Sequence, residues 1–232
     1  MTAEKEKTPD YIGHRQRLRK RYFADYGKSM PDYELLELLL MVAIPRRDVK
    51  PLAKELLRKF GSFIDVINAK HEDLMTIKGI KENAAFMLKI VHTAMERGSY
   101  LKLQQDDAQI ISNWDVLVDY CRATIGYSEV EEFRVLLLDN KLKIIGEEVM
   151  QRGTINQVAV HPREVIKLVV NKGATSIILI HNHPSGDVTP SKADIEVTKQ
   201  IKAAAEMLDI KLIDHIIVSK NLVYGFKDHG VI

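Results

Sequence analysis

The chain has 232 residues, a formal net charge of +2 and 46% hydrophobic residues. That is apolar material for one large domain or two small ones, and too much for a disordered chain. The single cysteine excludes an internal disulfide framework, and the lack of any apolar run of bilayer length excludes a membrane span; with a charged beginning (MTAEKEKTPD) and no secretory leader, the expected location is the cytoplasm.

Nearly every segment of the amino-terminal part reads helical: residues 13–26, 32–43, 49–60, 62–68, 71–76 and 81–97. The stretch 99–112 (SYLKLQQDDAQIIS) breaks the helical periodicity, which predicts a linker between a helical domain over 1–103 and a second domain over 113–232. Charge is uneven. From Tyr11 to Phe60 there are twelve Lys or Arg against six Asp or Glu, a net of +6 in a chain that carries only +2. A solvated helical face accounts for part of that excess, but a basic segment on a balanced protein also favours an anionic partner such as DNA. The segment from Leu74 to Ala84 resembles the helix-hairpin-helix element, in which a glycine-containing hairpin offers backbone N–H groups to a phosphate. Lys78, Gly79 and Lys81 are the expected nucleic-acid contacts, with Lys81 standing where the element usually has a second glycine. Hairpins of this kind also serve purely for packing or protein contact.

Beyond residue 112 helices and strands mix, giving an α/β (α+β) fold class. Helices are expected over 113–125, 162–171 and 192–208, and strands over 132–138, 142–150, 155–160, 174–181, 210–219 and 222–226. Cys121 falls inside the first of these helices as a small apolar residue, and Pro162 after His161 is a helix start. At the mouth of the first strand stand two glutamates. Glu131 shares a face with Phe133, Val135 and Leu137, whereas Glu132 shares one with Arg134.

The most informative segment runs from His181 to Asp194, HNHPSGDVTPSKAD. The apolar run Ala174–Ile180 before it reads as a buried strand, so His181 and His183 leave that strand on one face while Asn182 points the other way. Val197, Ile201, Ala204, Ala205 and Leu208 follow helical spacing, which puts Ser191 to Asp194 in the first turn of an amphipathic helix. Two imidazoles and a carboxylate would hold a metal ion and leave a fourth tetrahedral position for water, which ionises near neutral pH as a nucleophile. A two-His, one-carboxylate set suits zinc and also fits Fe(II). Ser191-x-x-Asp194 is a capping-box pattern as well, and the structural and chemical readings of that pair are compatible.

The spacing H-x-H-x7-S-x2-D is similar to that of the JAMM (MPN+) metallopeptidases. The longer string, with VHPREV at 160–165 and LIDH at 212–215, resembles the bacterial RadC family from about Glu131 to Ile232, and the amino-terminal helix-hairpin-helix-like domain extends the likeness over nearly all of the chain. The resemblance implies zinc held by His181, His183 and Asp194, a developing oxyanion bound by Ser191, an upstream glutamate as general base, and a cytidine-deaminase-like α/β core. An E-x-F pattern favoured in RadC-like sequences selects Glu131 as the base; the register of the wider JAMM group would select Glu132, and Glu131 is taken here. His161, Arg163 and His215 also recur in the RadC pattern and are expected to make structural hydrogen bonds rather than bind metal. The function implied is a zinc-dependent amide or isopeptide hydrolase coupled to a DNA-binding module, in DNA repair or processing. The alternative is a nuclease-like or non-catalytic DNA factor that uses the zinc site without peptidase activity.

Overall fold

The computed structural model describes residues 13–105, 114–153 and 160–232, and the chain divides into two compact units between Ala94 and Met95. In the first, six helices follow one another: α1 (His14–Asp25), α2 (Asp32–Ala43), α3 (Lys50–Phe60), α4 (Phe63–Asn68), α5 (His71–Met75) and α6 (Glu82–Gln105), the last of which continues into the second unit. Leu36, Leu40, Leu52, Leu56, Val66, Ile67, Leu74 and Leu88 bury their side chains together. α4 begins at a reciprocal cap in which Ser62 Oγ accepts from the Asp65 N–H and Asp65 accepts from the Ser62 N–H. The loop after α2 is pinned by Arg15, whose guanidinium donates to the carbonyls of Met41, Ile44 and Arg47 at 2.7–2.8 Å.

Here the sequence expectation needs one correction. Ser99–Gln105 is not a linker but the last turns of α6, because Tyr100 and Leu103, three residues apart on one helix face, pack against Leu117 and Tyr120 of the second unit's core. The division therefore falls before these turns; residues 106–113 lie outside the described residues, as does nearly all of the strand expected over 155–160.

The second unit adds α7 (Trp114–Cys121), which runs into a single π-helical turn (Arg122–Gly126), then β1 (Glu131–Leu138), β2 (Ile144–Gly153), α8 (Pro162–Lys172), β3 (Ser176–Asn182), α9 (Lys192–Glu206), β4 (Lys211–Val218) and β5 (Val223–Gly225). The strands form one sheet in the order β2-β1-β3-β4-β5, in which only β3 and β4 are parallel neighbours, α9 making the crossover between them. Helices cover both faces. α7 and the π-helical turn pack on the side of Leu136, Leu138, Ile178, Ile180 and Ile216; α8 and α9 pack on the side of Val135, Leu137, Ile177 and Leu179. Every residue of β3 is buried, which is why its sequence is a continuous apolar run rather than an alternating one. No helix among the described residues is long and apolar enough to cross a membrane.

Candidate metal centre

The register of β1 against β3 pairs Phe133 with His181. Since side chains alternate along a strand, His181 emerges on the α8/α9 side, and His183, one residue past the end of β3, follows it. α9 begins at the same end of the sheet. Ser191 Oγ accepts from the Asp194 N–H at 3.1 Å, and Asp194 Oδ2 accepts from the Ser191 N–H at 2.7 Å. The capping box expected from the sequence is thus formed, and it fixes the carboxylate at the helix entrance.

Three donors converge. His181 Nε2 lies 3.0 Å from His183 Nε2 and 3.4 Å from Asp194 Oδ1, and His183 Nε2 lies 3.6 Å from Asp194 Oδ2. A tetrahedral ion with ligands at about 2.0–2.1 Å needs ligand–ligand edges of about 3.3–3.4 Å, and the separations here, measured to the two oxygens of one carboxylate, lie within a few tenths of an ångström of that. Among the described residues this is the single group of three or more His, Cys, Asp or Glu side chains close enough to share an ion.

Proton bookkeeping points the same way. His183 Nδ1 is 2.6 Å from the carbonyl oxygen of Asp187, which can only accept, so Nδ1 carries the hydrogen and a neutral His183 turns a bare lone pair inward at Nε2. His181 Nδ1 contacts His215 at 2.7 Å, again leaving Nε2 to face the site. At 3.0 Å from the His183 lone pair, His181 Nε2 either donates a hydrogen to it or, as a second lone pair beside the carboxylate, needs a cation among them. Burial pushes the His181 pKa down to about 4, so that imidazole is neutral at ordinary pH. The Asp194 carboxylate raises the pKa of His183 against partial burial, at an ion-pair distance rather than a hydrogen-bond one. For Asp194 itself burial acts upward, but His183, His181 and the Ser191 donors outweigh it and hold the carboxyl well below its usual range.

A profile described as "RadC-like JAB domain" matches residues 111–231. The chain belongs to that family. Over 223 residues, 96% of this chain and 99% of the relative, it is also 45% identical to UPF0758 protein SPO0054 of Ruegeria pomeroyi. The RadC-like domain, a JAMM/MPN-type domain, accordingly occupies the second unit, and its His-His-Asp group is suited to a metal ion.

The two glutamates separate cleanly in this RadC-like domain. Glu131, two residues before Phe133, is on the His181 side of β1, and its charge acts on His183. Glu132 faces the opposite side, 5% exposed, paired with Arg134 at 2.9 Å and Arg152 at 3.2 Å, while its N–H donates to Asn182 Oδ1 at 2.8 Å. Asn182 also donates to the carbonyls of Ser128 and Val130, clamping the approach to β1. Exchanging Glu132 for glutamine removes the buried charge that faces Arg134, and the expected cost is about 1–3 kcal/mol in a urea unfolding titration with metal content unchanged. Metal loss without a stability change would instead place Glu132 at the ion.

Of the other family residues, His215 is fully buried and hydrogen-bonded to His181, as expected of a structural bond. Arg163 pairs with Glu164 at 3.3 Å, and His161 stands at the N-cap of α8 without a side-chain cap bond. Thr198 was not anticipated; its hydroxyl is 2.6 Å from His215 Nδ1. In the first unit, Lys78, Gly79 and Lys81 do form a hairpin between α5 and α6. Gly79 has φ of +108°, a region only glycine enters without strain. Gly79 and Lys81 line an open cleft together with Arg46 and Arg47, which the sequence reading did not join to the hairpin.

Proposed function

We propose that the protein is a zinc-dependent hydrolase of amide or isopeptide bonds whose amino-terminal unit binds DNA. The observation that carries the first part is the convergence of the His181 and His183 Nε2 atoms and the Asp194 carboxylate within 3.0–3.6 Å of one another, with Glu131 on the same side of the sheet. His181, His183 and Asp194 would hold the zinc, which would supply Lewis acidity toward water and a carbonyl oxygen. The chain's own groups do the rest. Glu131 accepts the proton as the water oxygen bonds to the carbonyl carbon, then returns it to the leaving amine as the C–N bond breaks. Ser191, whose Oγ accepts the Asp194 N–H and whose hydroxyl lies against the Asp194 carboxylate, would turn its O–H from that carboxylate to the oxyanion.

The test begins with elemental analysis, expected to give about one zinc per chain, since this donor set leaves one position open. A screen of peptide and isopeptide bonds, then single-stranded and branched DNA, compares wild type with Asp194→Ala. Amide cleavage that vanishes in the variant supports the assignment; nuclease activity alone would replace it with the DNA-processing reading.

Proton and metal compete for one space, which sets the pH dependence. His183 has a raised pKa, so in the metal-free protein its stabilising contribution is complete below its ordinary value of 6.5 and is lost as pH rises through the raised one. Metal binding runs oppositely: the apparent zinc affinity should rise about tenfold per pH unit below the His183 pKa and level off above it, one proton being displaced. Chelator competition between acidic and mildly alkaline buffers measures this, and a flat profile would remove His183 from the ligand set.

For DNA, the support is the basic excess of the first unit and the cleft that joins Arg46 and Arg47 to the hairpin. Duplex binding should weaken with salt, and Lys78→Glu with Lys81→Glu should weaken it alike for all sequences and lower the salt slope by about one per lost phosphate contact. Salt-independent binding would indicate a protein-contact role.

A further inference from the structure

We propose that His215 and Thr198 are positioning residues that set the tautomer of the ligand His181 through one directed hydrogen-bond chain, which begins at His181 and ends on the backbone of the ligand Asp194. The inference rests on the metal reading of the same site. The chain can be followed proton by proton. The Thr198 hydroxyl bonds the Asp194 carbonyl oxygen, which can only accept, so the single hydroxyl hydrogen is committed there. Thr198 Oγ1 must then accept its second contact, 2.6 Å away, from His215 Nδ1–H. His215 is fully buried, and a neutral imidazole with hydrogen on Nδ1 has a lone pair on Nε2. That lone pair, at 2.7 Å, accepts from His181 Nδ1–H and leaves His181 Nε2 bare toward the site. Packing prevents escape by rotation: the His215 ring stacks on Phe226 at 4.5 Å between centroids and meets Phe133 edge-on at 5.5 Å. Three elements, β3, β4 and α9, are tied by these bonds, so two of the three ligand residues are oriented by a single network. Ligating histidines are commonly held through their second nitrogen; here the holder is another histidine, itself held by a hydroxyl.

The chain makes a prediction that simple packing does not. Thr198→Val keeps shape but removes the acceptor for His215 Nδ1–H, so His215 is free to carry its hydrogen on Nε2, donate to His181 Nδ1 and force the His181 hydrogen onto Nε2, where metal should bind. His215→Phe keeps a flat ring between Phe226 and Phe133 and removes the acceptor outright. In the metal-free full-length protein, nitrogen-15 spectra should show His181 with hydrogen on Nδ1 in wild type and Thr198→Ser, and on Nε2 in Thr198→Val and His215→Phe. Zinc affinity by chelator competition should fall about 10- to 100-fold in the latter two and be retained in Thr198→Ser. If His215→Phe does not fold, the near-isosteric Thr198 pair decides alone. A His181 tautomer and zinc affinity unchanged by Thr198→Val would overturn the inference. A wild-type protein that takes up no metal would overturn the metal reading instead, and the tautomer measurement, made without metal, keeps the two failures distinct.

Discussion

On the proposed mechanism Glu131→Gln is expected to lower the hydrolytic rate by roughly a hundredfold or more, the usual weight of a positioned general base, while zinc content and folding stay as in wild type. The substitution keeps size and hydrogen-bonding shape but cannot accept a proton from water. The structure sharpens the comparison with its neighbour. Glu132 is paired with Arg134 and Arg152 on the opposite face of the sheet, so Glu132→Gln should reduce stability and leave the proposed turnover by the folded protein nearly untouched. Steady-state rates and unfolding midpoints measured on both variants give opposite signatures. Activity that survives Glu131→Gln but disappears in Glu132→Gln would reverse the assignment, and activity indifferent to both would remove the proposed mechanism.

What was readable in advance follows from how local each signal is. The placement of His181 and His183 on one strand face depends only on period-two alternation, and the Ser191–Asp194 cap only on residues three apart; both are formed as expected. The choice between Glu131 and Glu132 was harder, because β1 is buried on both faces and its apolar residues do not alternate. Which glutamate shares a face with the His-His-Asp group is decided by the pairing of Phe133 with His181, 48 residues apart in the chain. Thr198 and His215 were out of reach for the same reason: one sits in mid-helix, the other in a buried strand, and only the parallel pairing of β3 and β4 with α9 packed over them makes the chain of hydrogen bonds. The continuation of α6 to Gln105 was missed because its polar composition hides a short apolar stripe, Tyr100 and Leu103, that becomes meaningful only against the second core. Arg46 and Arg47 joined the hairpin cleft for an equally non-local reason, the fold of the α2–α3 loop under the Arg15 guanidinium.

On the proposed metal reading Asp194 has two duties that one substitution separates. As a cap it accepts the Ser191 N–H, and as a donor to an ion it offers a charged oxygen 3.4 Å from His181 Nε2. Asp194→Asn retains an amide oxygen for the Ser191 N–H and loses the negative charge, so α9 should start as before while the metal is released. Zinc sites of four ligands bind with about 10–16 kcal/mol, so one charged ligand represents roughly 3 kcal/mol, an affinity loss of about a hundredfold or more. Asp194→Ala removes the cap as well and should cost about 1 kcal/mol of additional stability in the metal-free protein. Chelator competition and metal-free unfolding, run on both variants, therefore yield the same affinity loss but different stabilities. An asparagine variant that holds zinc as tightly as wild type would show that the carboxylate is only a cap, and the ion would then rest on the two histidines alone.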